Sequence, residues 1–187
     1  MVEGTTRRVK LKGVTPIMFD RYPGQNTTVL EPHQRFYYAE DGKSLVLPSV
    51  NFQSFLGAEN TRSTAKMFGG KAYKNLAAAL CGFTLIEPFE IPITRNGKQL
   101  VFEGFDQDGF GVREDVARLP RGIPNPKKRP FIQTPWELEF TLTFFDNEFF
   151  DESLMLNLIE KGGRAIGLGT FRGIFGKFMV EEWEDAV

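Results

Sequence analysis

Nine residues, Trp136 to Phe144, alternate without a break. Trp136, Leu138, Phe140, Leu142 and Phe144 fall on one side, and Glu137, Glu139, Thr141 and Thr143 on the other. A period of two over that length specifies a β-strand with one face in a core and one in solvent. Arg8 to Gly13 repeat the pattern near the start of the chain, with Arg8, Lys10 and Lys12 set against Val9 and Leu11. As neighbours, the two strands would oppose cations to Glu137 and Glu139, which is mildly stabilising. Such a face carries neutralised charge where a base-stacking sheet would show aromatics.

Between these strands, Phe36-Tyr37-Tyr38 and Leu45-Val46-Leu47 flank Asp41-Gly42 and read as a hairpin. Pro48-Ser49 reads as a helix start, with Ser49 capping free amides and Val50, Phe52, Phe55 and Leu56 as the buried face. A second helical run follows Gly57 as far as Cys81, broken at Gly69-Gly70. Phe83 to Ile93 reads as a strand that Pro88 and Pro92 confine to an edge or make irregular. Asn96-Gly97 is a hairpin turn, returning through Gln99 to Phe105. Gly109 to Pro130 shows no clear period, which suits a long functional or disordered loop.

Beyond the strand at 136–144, Asp151 caps a helix whose face is Leu154, Met155, Leu158 and Ile159. Gly162-Gly163 is expected to end it, and the last strand is expected from Gly176 to Trp183. With the hairpins set aside, the order is strand, helix, strand, strand, helix, strand. The fold class is therefore α+β: a ferredoxin-like βαββαβ antiparallel sheet with helices on one face, hairpin insertions and a long basic loop. A single domain across residues 1–187 is expected, with the basic loop inserted at 106–134.

Composition narrows the function. Nineteen phenylalanines in 187 residues call for an aromatic core. The net charge of −1 gives no global attraction to nucleic acid, so any such binding comes from local clusters. Cys81 is the one cysteine, which excludes an intramolecular disulfide and a cysteine zinc site; on an alanine-rich helix it reads as buried and inert. No run approaches the ~20 apolar residues that span a bilayer. We expect a cytoplasmic protein with no membrane partner, no cofactor and no metal.

Three segments concentrate glycine or cations. Gly162 to Lys177 holds six glycines with Arg164, Arg172 and Lys177. Glycines allow close backbone approach and positive φ, so successive amides of Gly167, Gly169, Thr170 and Gly173 could point at phosphate. The segment precedes a strand, so it is neither a Walker loop nor a dinucleotide fingerprint. Arg113, Arg118, Arg121, Lys127, Lys128 and Arg129 face only Glu114 and Asp115 between residues 113 and 129. Arg62, Lys66, Lys71 and Lys74 form a third basic run with no acid between Asn60 and Ile86. Solvated charge explains such runs as readily as binding does.

Catalytic candidates are sparse. His33 is the only histidine and follows Pro32 without an evident partner. Asp106-Gln107-Asp108-Gly109 echoes the start of a calcium loop, but the closing glutamate would fall on Ala117.

Arg172-Gly173-Ile174-Phe175-Gly176-Lys177, after Gly162-Gly163, resembles the carboxy-terminal glycine-rich loop of the RAMP superfamily, with Ile174 as one extra residue. That superfamily comprises ferredoxin-like proteins that include the backbone subunits of CRISPR effector complexes. Leu45-Val46-Leu47-Pro48-Ser49-Val50-Asn51-Phe52 is similar to the entry of those subunits into their first helix, although the lysine common there has no counterpart. Short prophage proteins share this combination and look closer than the longer CRISPR subunits. The resemblance implies a thumb-like hairpin between the second and third strands, at Arg121, Lys127, Lys128 and Arg129, that touches RNA and a neighbouring subunit. It implies Asn51 and the glycine-rich loop as further contacts; Arg62 and Lys66, of the third basic run, are a weaker candidate on their charge alone.

The function expected on these grounds is non-catalytic, backbone-directed binding of single-stranded nucleic acid, RNA in preference to DNA. Copies of the protein, or other RAMP-like subunits, would line up along one strand. Two alternatives stand beside it: a metal-independent RAMP-type ribonuclease using His33, and a phage assembly module without nucleic-acid binding.

Overall fold

The computed structural model describes residues 3–118 and 120–186. In chain order it forms β1 (Gly4–Gly13), β2 (Ile17–Met18), β3 (Val46–Pro48), α1 (Ser49–Gly57), α2 (Thr64–Phe68) and α3 (Tyr73–Gly82). There follow β4 (Thr84–Glu87), β5 (Glu90–Arg95), β6 (Lys98–Gln99), β7 (Phe110–Arg118), β8 (Pro124–Ile132), β9 (Glu137–Phe145), α4 (Glu152–Ala165) and β10 (Phe178–Asp185). The chain is an α+β protein with two antiparallel sheets.

The larger sheet runs β10-β1-β9-β5-β3, with β4 also on β9 and β6 on β5. β1 and β9, the two strands with the clearest alternation, are direct neighbours, and Lys10 lies opposite Glu139 and Lys12 opposite Glu137. Val9, Leu11, Leu138, Phe140 and Leu142 form its buried side. The helices cover that side through aromatic contacts: Phe52 meets Phe140 edge-on at 4.9 Å between ring centroids, and Phe55 lies 5.4 Å from Phe178. Gly13 is required beneath the fully buried Trp136, because a Cβ there would come within 2.1 Å of the indole.

Several expectations are corrected. Ser49 is the first residue of α1 and makes no capping bond, since Pro48 occupies the cap position; Val50 faces solvent, 62% exposed. The 83–93 strand is two strands, β4 and β5, both laid along β9 and separated at Pro88-Phe89. Gly162 and Gly163 do not end α4. They are buried inside it, where a Cβ would strike Phe55 and Thr64, or the Phe178 carbonyl, so they permit close packing of α4 on α1, α2 and β10. Cys81 is only half-buried, its thiol 3.9 Å from the Gln53 carbonyl, and burial pushes its pKa up. Glu137, expected in solvent, is buried on β9 between Lys12 and Thr94 and accepts from the Gly97 amide at 3.4 Å. Asp151 does cap α4, accepting from the Leu154 amide at 2.8 Å.

The segment expected to lack period is the largest correction. β7 and β8 pair as a long hairpin, from Phe110↔Ile132 to Arg118↔Pro124. β2 extends it into a second, three-stranded sheet through Ile17↔Ile132 and Met18↔Phe131. Proline is tolerated in β8 because it falls at one parity, Pro124, Pro126 and Pro130. The Pro130 carbonyl turns away from β7 to accept the Phe19 amide at 3.0 Å, so its ring nitrogen lies outside the β7 ladder, as does that of its parity mates.

Candidate nucleic-acid interface

The hairpin has two unlike faces. Val112, Glu114 and Val116 point outward with Lys128 and Pro126, whereas Arg113 and Asp115 share the inner face with Arg129 and Lys127. The inner face closes on Asp20, in the segment after β2. Asp20 binds Arg35, Lys127 at 3.0 Å and Arg129 at 3.2 Å. Burial alone would raise its carboxyl pKa; the hydrogen bond and charge of Lys127, with Arg35 and Arg129, outweigh it and hold the group below the usual carboxylate value.

Phe171 and Phe175 of the glycine-rich loop stack at 5.7 Å and receive the hairpin's two inner arginines. Arg129 lies 5.6 Å over Phe171, and Arg113 lies 5.3 Å over Phe175 while binding Asp115 at 2.9 Å. Arg129 is 6% exposed, and its Nη1 has no hydrogen-bond acceptor; a ring face beside the guanidinium supplies part of that missing contact. These two contacts fasten the hairpin to the loop.

The loop itself is tightly knit. The Gly169 amide donates to Asn51 Oδ1 at 2.9 Å, and Asn51 Nδ2 returns a bond to the Gly169 carbonyl at 3.4 Å. Thr170 donates to Met18, Gly173 to Ile166, Gly176 to Pro16, Leu168 to Gly176, and Lys177 to the Thr15 hydroxyl. Between Ile166 and Lys177, the amides of Phe171, Arg172 and Ile174 are the ones not engaged in this way among the described residues. Gly176, at φ +73, lies where a Cβ would stand 1.9 Å from the Leu168 carbonyl. Positive φ therefore serves the loop's own fold first, and the amides of Gly167, Gly169, Thr170 and Gly173 already donate to the protein.

The third basic segment joins at the other end. Arg172 donates to the Thr61 hydroxyl at 2.8 Å, and burial lowers its pKa. The Arg62 guanidinium lies directly over Gly173, and Lys66 Nζ donates to the Glu59 carbonyl at 3.0 Å. Three segments distant in sequence thus form one continuous strip: Arg62 and Lys66, then the 166–177 loop with Asn51, then the hairpin. Arg62, Lys66, Arg121 and Lys128 are exposed on it, Lys128 standing 4.0 Å from Glu114, and Lys177 is half-buried. Arg164 stands apart on the solvent face of α4, beside Glu160 and Lys161. The Arg118 side chain lies outside the described residues.

Sequence reasoning missed Asp20, Arg35, Phe171 and Phe175, which shape the strip without being basic or glycine. Asp20 sits in an irregular stretch with no pattern to mark it. Two hollows border the strip and share Asp20 as a wall: a cleft of about 700 Å³ between residues 20–35 and the hairpin, and a smaller one of about 210 Å³ against Gly169. His33 is exposed on a short 3₁₀ turn (Pro32–Arg35), and its imidazole has no polar partner among the described residues. Among the same residues, no three His, Cys, Asp or Glu side chains are grouped to hold a metal, and no helix is long and apolar enough to cross a membrane.

Neither a scan against protein-family models nor a search of curated proteins finds a match. Solved structures do match. One is a chain of the cryo-EM structure of the Type III-B Cmr-beta bound to cognate target RNA, at a TM-score of 0.54 and 11% identity. The alignment covers 97% of this chain and 60% of that one, so the present chain spans well under two thirds of its length. The likeness is one of fold.

Proposed function

We propose that the protein is a non-catalytic binder of single-stranded nucleic acid, RNA in preference to DNA, that grips the strand's backbone along the strip. The observation that carries this reading is the convergence of three separately basic or glycine-rich segments on one continuous surface, in a chain of net charge −1. The fold likeness to a chain of an RNA-bound Cmr structure supports it. The strand order, with β1 and β9 central between β10 and the β4–β5 pair, is in keeping with the ferredoxin-like sheet that this reading supposes.

The contacts are side chains more than amides. Arg62, Lys66, Arg121, Lys128 and Lys177 are the groups free to neutralise phosphates, while Asn51, Gly167, Gly169, Thr170 and Gly173 hold the loop that presents them. Arg129 and Lys127 set the hairpin's angle through Asp20. Binding through phosphates is sequence-tolerant and salt-sensitive. Copies arranged head to tail along one strand would extend the strip.

The test uses labelled single-stranded RNA and DNA at two salt concentrations, read for both mobility and strand integrity. A salt-sensitive shift of intact RNA, stronger than that of DNA, is the expected result. Cleavage that disappears in His33→Ala would replace the proposal with a ribonuclease, and no shift at low salt would leave an assembly module.

A further inference from the structure

The smaller hollow is built unlike a phosphate site. Met18, Phe19 and Leu47, each 1% exposed or less, back it and hold it rigid, while the surface it offers to an occupant is mostly polar. Tyr37, Thr170 and Asp20 supply polar groups around it. The Tyr37 phenol is half-buried, its pKa raised by burial and by the charge of Asp20 against the opposing charge of Arg21, and its hydroxyl has no hydrogen-bond partner among the described residues. The Thr170 hydroxyl has none either. Two hydroxyls and a carboxylate surround a hollow whose volume, about 210 Å³, is below the ~300–1,000 Å³ typical of drug-sized ligands. A single planar ring system is the size that fits.

We infer that this hollow receives one unstacked nucleobase, and that it selects bases with an exocyclic amino group over uracil. The inference rests on the nucleic-acid reading above and adds base selection to it. Asp20 forms a wall of both the hollow and the wider cleft lined by Arg21, Lys127 and Lys128, so the two lie side by side. A strand whose phosphates run along those cations has a base within reach of the hollow. Asp20 stays ionised because Lys127, Arg35 and Arg129 surround it, and an ionised carboxylate can only accept. It therefore attracts the amino group of cytosine and repels the carbonyl oxygen that uracil carries at the same position. The Tyr37 hydroxyl can then donate to the adjacent ring nitrogen, which is an acceptor in cytosine and a donor in uracil.

Oligocytidylate and oligouridylate of equal length, both single pyrimidine strands, are compared by fluorescence anisotropy at neutral pH. The expected preference for oligocytidylate is about fivefold, the worth of one net hydrogen bond. In Tyr37→Phe that preference shrinks while oligouridylate affinity holds, and in Asp20→Asn it disappears. Should Asp20→Asn fail to fold, Tyr37→Phe alone decides, since it removes one unpartnered oxygen. Equal binding of the two oligomers by the wild-type protein overturns the base site and leaves backbone binding intact. Failure to bind either oligomer at low salt overturns both.

Discussion

Arg113 and Arg129 lie directly opposite each other across the β7–β8 pair. Like charges at such a position are destabilising, and here each is compensated separately. Arg113 has Asp115 and the ring of Phe175; Arg129 has Asp20 and the ring of Phe171. The hairpin is therefore attached to the glycine-rich loop by charge and ring faces as much as by apolar packing.

Removing the rings should loosen that attachment. Phe171→Ala and Phe175→Ala are each expected to lower stability by roughly 0.5–2 kcal/mol through the lost cation–π contact, more where packing is also lost. Hydrogen exchange should rise in residues 110–132 while the β1–β9 ladder keeps its protection. Uniform loss of protection would show that the hairpin is not an independently anchored unit.

Asp20 gives a pH signature. Its carboxyl lies below the ordinary value of 3.8 in the folded protein, so its stabilisation is complete above that value and is lost as pH falls through the depressed one. Asp20→Ala should destabilise at neutral pH by on the order of 3 kcal/mol, because it leaves Arg129 and Arg35 buried without their acceptor. The difference in melting temperature between wild type and variant should narrow only in acid, below the usual carboxylate range. A difference that stayed constant through that range and on into stronger acid would mean that the carboxylate's charge is not what the site uses.

The loop glycines should separate into two classes. Gly176→Ala meets the Leu168 carbonyl at positive φ and should unfold the loop, while Gly173→Ala meets only the flexible Arg62 guanidinium. The second variant should fold with a loss of about 1–2 kcal/mol, the ordinary cost of a side chain at left-handed φ. Circular dichroism melts distinguish them; equal losses would contradict the geometry.

How much of this was legible in the sequence follows from the range of each interaction. The β1–β9 register could be read because alternation and opposite charge both declare it. The partners of the basic face were only half legible: Arg8 reaches Glu184 at 2.5 Å and Lys10 reaches Glu181 at 2.8 Å, both in β10, where the sequence had suggested the glutamates of β9. The hairpin was hidden because both of its faces are charged and one also carries the prolines, so no apolar period marks it. Gly162-Gly163 looked like a helix end because glycine signals one when exposed, and here it is buried for close packing. Asp20 could not be found at all, since its partners Lys127 and Arg129 are 107 and 109 residues away.

The central claim is that phosphates are held along the strip by exposed side chains. Its most direct test is the slope of log affinity against log salt for single-stranded RNA, measured on the wild type and on a variant with Arg62, Arg121 and Lys128 all changed to alanine. These three are exposed, so the melting temperature should hardly move. Each lost phosphate contact on a single strand removes about 0.7 from the slope, so the variant should be flatter by up to about 2. An unchanged slope in a variant that melts like the wild type would contradict the account.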